Sequence, residues 1–273
     1  MARSGPERTL RLTLAYDGTP FVGWQRQAEG TSIQGLVEEA LARIEGTPVM
    51  VAGAGRTDAG VHACGQVASV RLRATIEVAT LARALNAMLP PEIRVIGVDE
   101  APASFHARHS AASKTYRYQI VNGPIAMPFE WRYAWHVGER LDVGRMGAAA
   151  ALFEGEHDFA AFRATGSSVK TSVRHVSSSR LSCVDAAAFR GCAWGAAAED
   201  VPATQRLVYE VKASGFLRHM VRAIVGTLIE IGAGRREPAS IERAFRSGDR
   251  NDAGPTAPAC GLWLVGVEYG SGE

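Results

Sequence analysis

The chain has 273 residues, 47% of them hydrophobic, and a formal net charge of +2. Such a chain can bury one large core or two modest ones, and a soluble globular protein is expected. The charge by itself does not mark a nucleic-acid binder. The first fifteen residues contain no apolar run of the signal-peptide kind and no later segment is an uninterrupted membrane span, so a cytoplasmic location and no membrane partner are expected. The four cysteines, Cys64, Cys183, Cys192 and Cys260, show no C-x-x-C pairing and no histidine at finger spacing, so neither a zinc site nor a disulfide framework is expected.

Thr9 to Leu14 alternates polar and apolar residues, the period of a half-buried strand, and the loop from Asp17 to Gly30 follows it. Ser32 then opens a helical pattern in which Ile33, Leu36, Val37, Ala40, Leu41 and Ile44 share a face. Val49 to Ala52 and Gln66 to Leu72 read as strands. A helix over about Ile76 to Met88 stops at Pro90-Pro91, and Ile93 to Val98 reads as the next strand. The order β-α-β-β-α-β is that of a split βαβ, or ferredoxin-like, unit.

Between the second and third of these strands lies Ala54-Gly55-Arg56-Thr57-Asp58-Ala59-Gly60-Val61-His62, which sets one acid beside an arginine among glycines. Gly53, Gly55 and Gly60 allow sharp turns and close approach of another molecule, so the loop presents Asp58 instead of hiding it. Arg56 is expected to pair with the carboxylate and keep it ionised, and an ionised, positioned carboxylate can act as a nucleophile. The same residues also describe an ordinary glycine-rich turn whose Asp caps the next element. Nucleotide-binding patterns fail here. Gly55 and Gly60 have the spacing of a phosphate loop but Val61-His62 follows instead of Lys and a hydroxyl, and Asp58 stands where a dinucleotide fingerprint needs its third glycine.

The second half repeats the order: strand Thr115 to Val121, helix about Val143 to Phe153, strands near Val173 to Ser182 and Arg206 to Ala213, helix Phe216 to Ile231, and strand Leu262 to Tyr269. A short strand at Tyr133 to Val137 and a helix around Ile241 to Ser247 are additions. The expected architecture is therefore α+β, two ferredoxin-like βαββαβ units with predominantly antiparallel sheets joined edge to edge around a central cleft. The boundary is expected at the small residues Ala111-Ala112-Ser113, giving units 1–112 and 113–273. The Ala- and Gly-rich stretch from Val184 to Gln205 reads as a hairpin extension between two strands.

An ordered set of motifs runs along nearly the whole chain: Tyr16-Asp17-Gly18, Phe21-Val22-Gly23-Trp24-Gln25-Arg26-Gln27, Gly55 to His62, Phe105-His106-Ala107-Arg108, Lys114-Thr115-Tyr116-Arg117-Tyr118, His219-Met220-Val221-Arg222 and Gly261-Leu262-Trp263-Leu264. This set resembles the tRNA pseudouridine synthase A family. The resemblance implies that Asp58 is the essential catalytic residue and Tyr116 the active-site tyrosine. It also implies a homodimer that acts on uridines in the anticodon stem-loop of tRNA at positions 38 to 40. The Val184 to Gln205 stretch is longer than the tight connection that pattern would have.

Pseudouridine formation breaks the bond from ribose C1′ to uracil N1 and remakes it to C5, with no redox change, so no cofactor and no metal are expected. The resemblance implies an aspartate nucleophile that attacks ribose C1′ or uracil C6, or assists a glycal-type intermediate. The extruded base needs an aromatic face, which suits Tyr116, whose phenol is also a candidate proton acceptor from C5. Arg56, Arg222 and Leu262 complete the expected substrate-binding set, Leu262 by family analogy as an apolar pocket wall or simply as core. Arg218 and Arg222 must emerge on one side of their helix, with Arg222 directed toward Asp58, a phosphate, or an acid at a domain interface. Trp24, Gln25 and Arg26 are placed for RNA contact in their loop. His62 reads as a hydrogen-bonder supporting the motif.

Basic residues interleave with aromatics in Phe105 to His109 and Lys114 to Tyr118, with further clusters at Arg71/Arg73, Arg163/Lys170/Arg174/His175 and Arg218/His219/Arg222. Such clusters can neutralise phosphates while aromatic faces stack on bases, or they are solvated strand faces. The alternative to an enzyme is a non-catalytic RNA-binding protein on the same units. An RRM would carry an RNP1 strand, which this sequence lacks.

Overall fold

The computed structural model describes residues 4–164, 171–184 and 204–270. Among them are five α-helices and a set of mostly antiparallel strands, divided between two compact units. Unit 1 comprises Met1–Lys114 and Trp263–Glu273, and unit 2 comprises Thr115–Leu262. The C-terminal residues, expected in the second unit, therefore belong to the first.

In unit 1, β1 (Ser4–Tyr16) pairs antiparallel on one edge with β4 (Ile93–Ala101) and on the other with β3 (His62–Ala74). The far edge of β3 is shared. β2 (Val51–Gly53) pairs antiparallel with its Ala68 to Val70 stretch, and β10 (Leu262–Tyr269) runs parallel to it with Trp263 opposite His62. This parallel pairing is why the last strand joins unit 1. Leu10, Leu12, Leu14 and Tyr16 of β1 alternate into the core, as their period demands. β1 is longer than its alternating stretch because Ser4 regains pairing with Ala74 across a register shift.

Helix α1 (Ile33–Glu45) is capped by Ser32, whose side chain accepts from the Gly35 amide, and it buries Ile33, Val37, Ala40 and Leu41. Helix α2 (Val78–Met88) is capped by Glu77, which accepts from the Ala79 and Thr80 amides, and those donors hold the Glu77 carboxyl below its ordinary range. Leu81 and Leu85 anchor this helix.

In unit 2 the strand order is β5 (Ala111–Asn122), β9 (Gln205–Ala213), β8 (Val173–Val184) and β7 (Gly155–Asp158), with β6 (Trp135–Val137) parallel on β5. β7 was not expected: Gly-Glu-His-Asp has no apolar alternation, because it pairs only with β8 at the end of the order. Helices α3 (Val143–Ala151), α4 (Met220–Gly232) and α5 (Ala239–Ser247) complete the unit. α4 is apolar on almost all sides and buried accordingly. Phe153, Phe159, Phe162 and Phe245 form an aromatic cluster with edge-to-face pairs at 5.2 Å, a geometry worth about 0.5–1.5 kcal/mol per pair beyond area burial.

The segment after α5 packs against α4 backbone to backbone. A Cβ on Gly226 would lie 1.7 Å from the Pro255 carbonyl oxygen, and the Gly254 amide donates to Thr227 Oγ1 at 2.7 Å. Cys64, Cys183 and Cys260 are free thiols. Cys192, Lys170 and residues 185–203 of the Ala-rich stretch lie outside the described residues. No described helix is long and apolar enough to cross a membrane.

Candidate active site

The loop carrying Asp58 leaves β2 at Gly53 and enters β3 at His62, and its neighbours hold it from several directions. Gln66 of β3 reaches back to Gly55: its Nε2 donates to the Gly55 carbonyl at 2.8 Å, and its Oε1 accepts from the Gly55 amide at 3.4 Å. The other Nε2 hydrogen points to the Tyr16 hydroxyl at 3.3 Å, which leaves the phenol proton for Thr57 Oγ1 at 2.9 Å. Tyr16, Thr57 and Gln66 are all buried, and burial pushes the Tyr16 phenol up to about 12, so it stays a neutral donor.

A second hold comes from the loop before α1. The Trp24 amide donates to the Thr57 carbonyl at 3.0 Å, and Gly23 forms an isolated antiparallel bridge with Asp58. Gly23 has φ 108°, and a Cβ there would stand 2.6 Å from the Thr57 carbonyl oxygen, so only glycine permits this approach. The carbonyls of Gly23 and Trp24 in turn accept from the first amides of α1, Ile33 and Gln34. A third hold is His62, which is fully buried, accepts from the Gly18 amide through Nδ1 at 3.1 Å and stacks on Trp263 at 4.4 Å. The supporting role expected of His62 has this geometry. Between these fixed points Asp58 is half-exposed, and the Val61 amide donates to its carbonyl to close the turn.

Arg56 departs from expectation. Its side chain is exposed and makes no ion pair among the described residues, so the expected pairing with Asp58 is not formed. Trp24 also differs: its ring is 2% exposed, packed over Gly53 and 6.1 Å from Tyr16, so it faces the core. Gln25 is half-buried, and exposed Arg26 lies 3.4 Å from the buried carboxylate of Glu38. Arg71 and Arg73 project from β3 into solvent, with Arg71 3.6 Å from Glu7.

In unit 2, Tyr116 on β5 is buried, with its ring edge-on to Phe216 at 4.8 Å. Arg222 on α4 is half-buried and its Nε donates to the Ala257 carbonyl at 2.7 Å. Nearby, the Tyr118 phenol donates to the Pro258 carbonyl; burial holds it well above its ordinary value, with Cys260 adding and Arg222 opposing. Leu262 is buried at the start of β10. No group of three or more His, Cys, Asp or Glu side chains placed to hold a metal ion occurs among the described residues.

Sequence reasoning missed Gln66 as part of the site. Its signal was a single amide inside the apolar run of β3, where a lone polar side chain needs a partner.

A family model described as tRNA pseudouridine synthase matches residues 13–110 and 149–270, which puts the chain in the class of RNA-modifying isomerases. It is 44% identical over 260 residues to the tRNA pseudouridine synthase A of Syntrophotalea carbinolica, covering 95% of this chain and 96% of that one. With the protein of the same description from Solibacter usitatus it shares 45% identity over 265 residues, covering 96% of this chain and all of the other. The chain belongs to the tRNA pseudouridine synthase family.

Proposed function

We propose that this protein isomerises uridine to pseudouridine in the anticodon stem-loop of tRNA, at positions 38 to 40, with Asp58 as the nucleophile. The observation that carries the reading is the half-exposed Asp58 at the tip of a loop pinned at Gly55, Thr57 and Val61, within a chain of this family. In the reaction the C1′–N1 bond breaks, the C1′–C5 bond forms, the C5 proton leaves and N1 takes one up. Attack at C1′, attack at C6 and assistance to a glycal all use the same carboxylate. Tyr116 supplies the aromatic face for the flipped base and the phenol oxygen that receives the C5 proton. Arg56, turned outward, suits the RNA backbone better than Asp58, and Arg222 and Leu262 line the substrate side of unit 2.

RNA contact before α1 falls to Gln25 and Arg26, because the Trp24 ring is already packed inward. The finer architecture proposed is two ferredoxin-like units flanking a cleft, acting as a cytoplasmic homodimer on one tRNA. Tritium release from tRNA labelled at uracil C5 tests the activity. Asp58→Asn is expected to abolish release while tRNA affinity stays within a few-fold, because the change removes a charge and almost no volume. Retained turnover in this variant would refute the assignment, and absence of release by the unaltered protein with intact binding would favour the non-catalytic RNA-binding reading.

A further inference from the structure

We infer that Gln66 is a positioning residue for Asp58, acting as a side-chain substitute for a missing strand. The inference rests on the proposed function for its kinetic meaning. β2 pairs with β3 only from Val51 to Gly53, opposite Val70 to Ala68, and the Ala54 amide makes one more bond, to the Val67 carbonyl at 2.7 Å. At Gly55 the ladder has stopped, and the chain must leave the sheet to present Asp58.

A strand residue there would satisfy both the Gly55 amide and its carbonyl. The Gln66 carboxamide does the same, with one donor and one acceptor on the same plane. Its second hydrogen ties it to Tyr16 and, through Tyr16, to Thr57, the residue next to Asp58. Gln66, Tyr16 and Thr57 are buried, so water does not replace a lost member at low cost. The clamp thus grips the loop on either side of Arg56: at Gly55 through the main chain and at Thr57 through its hydroxyl.

A carboxylate that drifts by an ångström loses near-attack geometry, and such a shift can cost about 100-fold in rate. Gln66→Met keeps length and apolar volume but removes both bonds to Gly55. It is expected to slow single-turnover pseudouridine formation at saturating tRNA by about 100-fold, with tRNA Kd within three-fold of the unaltered protein. Gln66→Glu gives a second, self-contained reading. Its neutral acid form again offers one donor and one acceptor to Gly55, whereas its carboxylate offers no donor and faces the Gly55 carbonyl. Single-turnover rate of this variant, divided by that of the unaltered protein, is therefore expected to rise as pH falls and the buried acid protonates.

A Gln66→Met rate within two-fold of the unaltered protein overturns the inference, as does an equal fall in affinity and rate. If Gln66→Met does not fold, a flat Gln66→Glu ratio across pH overturns it instead. Amide hydrogen exchange over residues 54–60, expected to quicken in Gln66→Met without a change elsewhere in β3, needs no turnover. It separates failure of the clamp from failure of the enzymatic reading, since an unaltered protein without activity would still show it.

Discussion

Two buried tyrosines, Tyr16 and Tyr116, make different contacts. Tyr16 gives its proton to Thr57, accepts from Gln66 and is pushed up to about 12 by burial, which fits it to hold a loop and unfits it to move a proton. Tyr116, proposed to face the flipped base and take the C5 proton, packs its ring edge-on to Phe216. Tyr116→Phe should therefore leave tRNA binding within a few-fold and slow product formation by about 100-fold or more, the usual scale of a lost proton-transfer group. Burst-free single-turnover assays measure this, and an unchanged rate would confine Tyr116 to stacking. At this scale the sequence singled out Asp58, the proposed reacting acid, because glycines around one carboxylate present it instead of hiding it. It did not expose what immobilises that acid. Gln66 acts through a contact with Gly55 eleven residues away and Thr57 through one with Tyr16 forty-one residues away, distances at which no local pattern is left, and Arg56 is exposed instead of paired.

Helices and long strands were readable because period follows burial. Ile33, Val37, Ala40 and Leu41 of α1 and the alternation in β1 both appear where their spacing put them. Short β7 was not, since an edge strand of Glu, His and Asp has no buried face to leave a pattern. Nor could periodicity reveal that the 253–258 segment meets α4 backbone to backbone at Gly226. The Pro255 carbonyl fills the space of a Gly226 Cβ, while Thr227 Oγ1 and Arg222 Nε fasten Gly254 and Ala257. Gly226→Ala should thus destabilise unit 2 by about 1–3 kcal/mol, the range of an overpacked core, or more if the segment is expelled. Chemical denaturation reads the change. Because Ala favours a helix over Gly by about 0.8–1.0 kcal/mol, a stabilised variant would mean that this approach is not kept in solution.

For the molecule as a whole, a net charge of +2 leaves RNA affinity to local clusters. If several phosphates are neutralised, log affinity should fall linearly with log salt at about −0.9 per phosphate on duplex stems. Arg71→Ala with Arg73→Ala should weaken binding alike for all substrate tRNAs and flatten that slope, while Asp58 chemistry survives at saturating tRNA. Filter binding across salt concentrations measures it, and an unaltered slope would leave these arginines as a solvated strand face, with Arg71 serving Glu7. The division of the chain carries a further consequence, one of timing. Unit 2 is an insertion within unit 1, so the strand that supplies Trp263 to His62 is made only after unit 2. On a ribosome adding about 5–20 residues per second, roughly 150 residues intervene, and the unit begun first waits on the order of ten seconds for its final edge. Maturation of the acid-bearing loop is thereby coupled to synthesis of β10, and a message cut short before Trp263 yields a unit 1 lacking the ring on which its buried histidine rests.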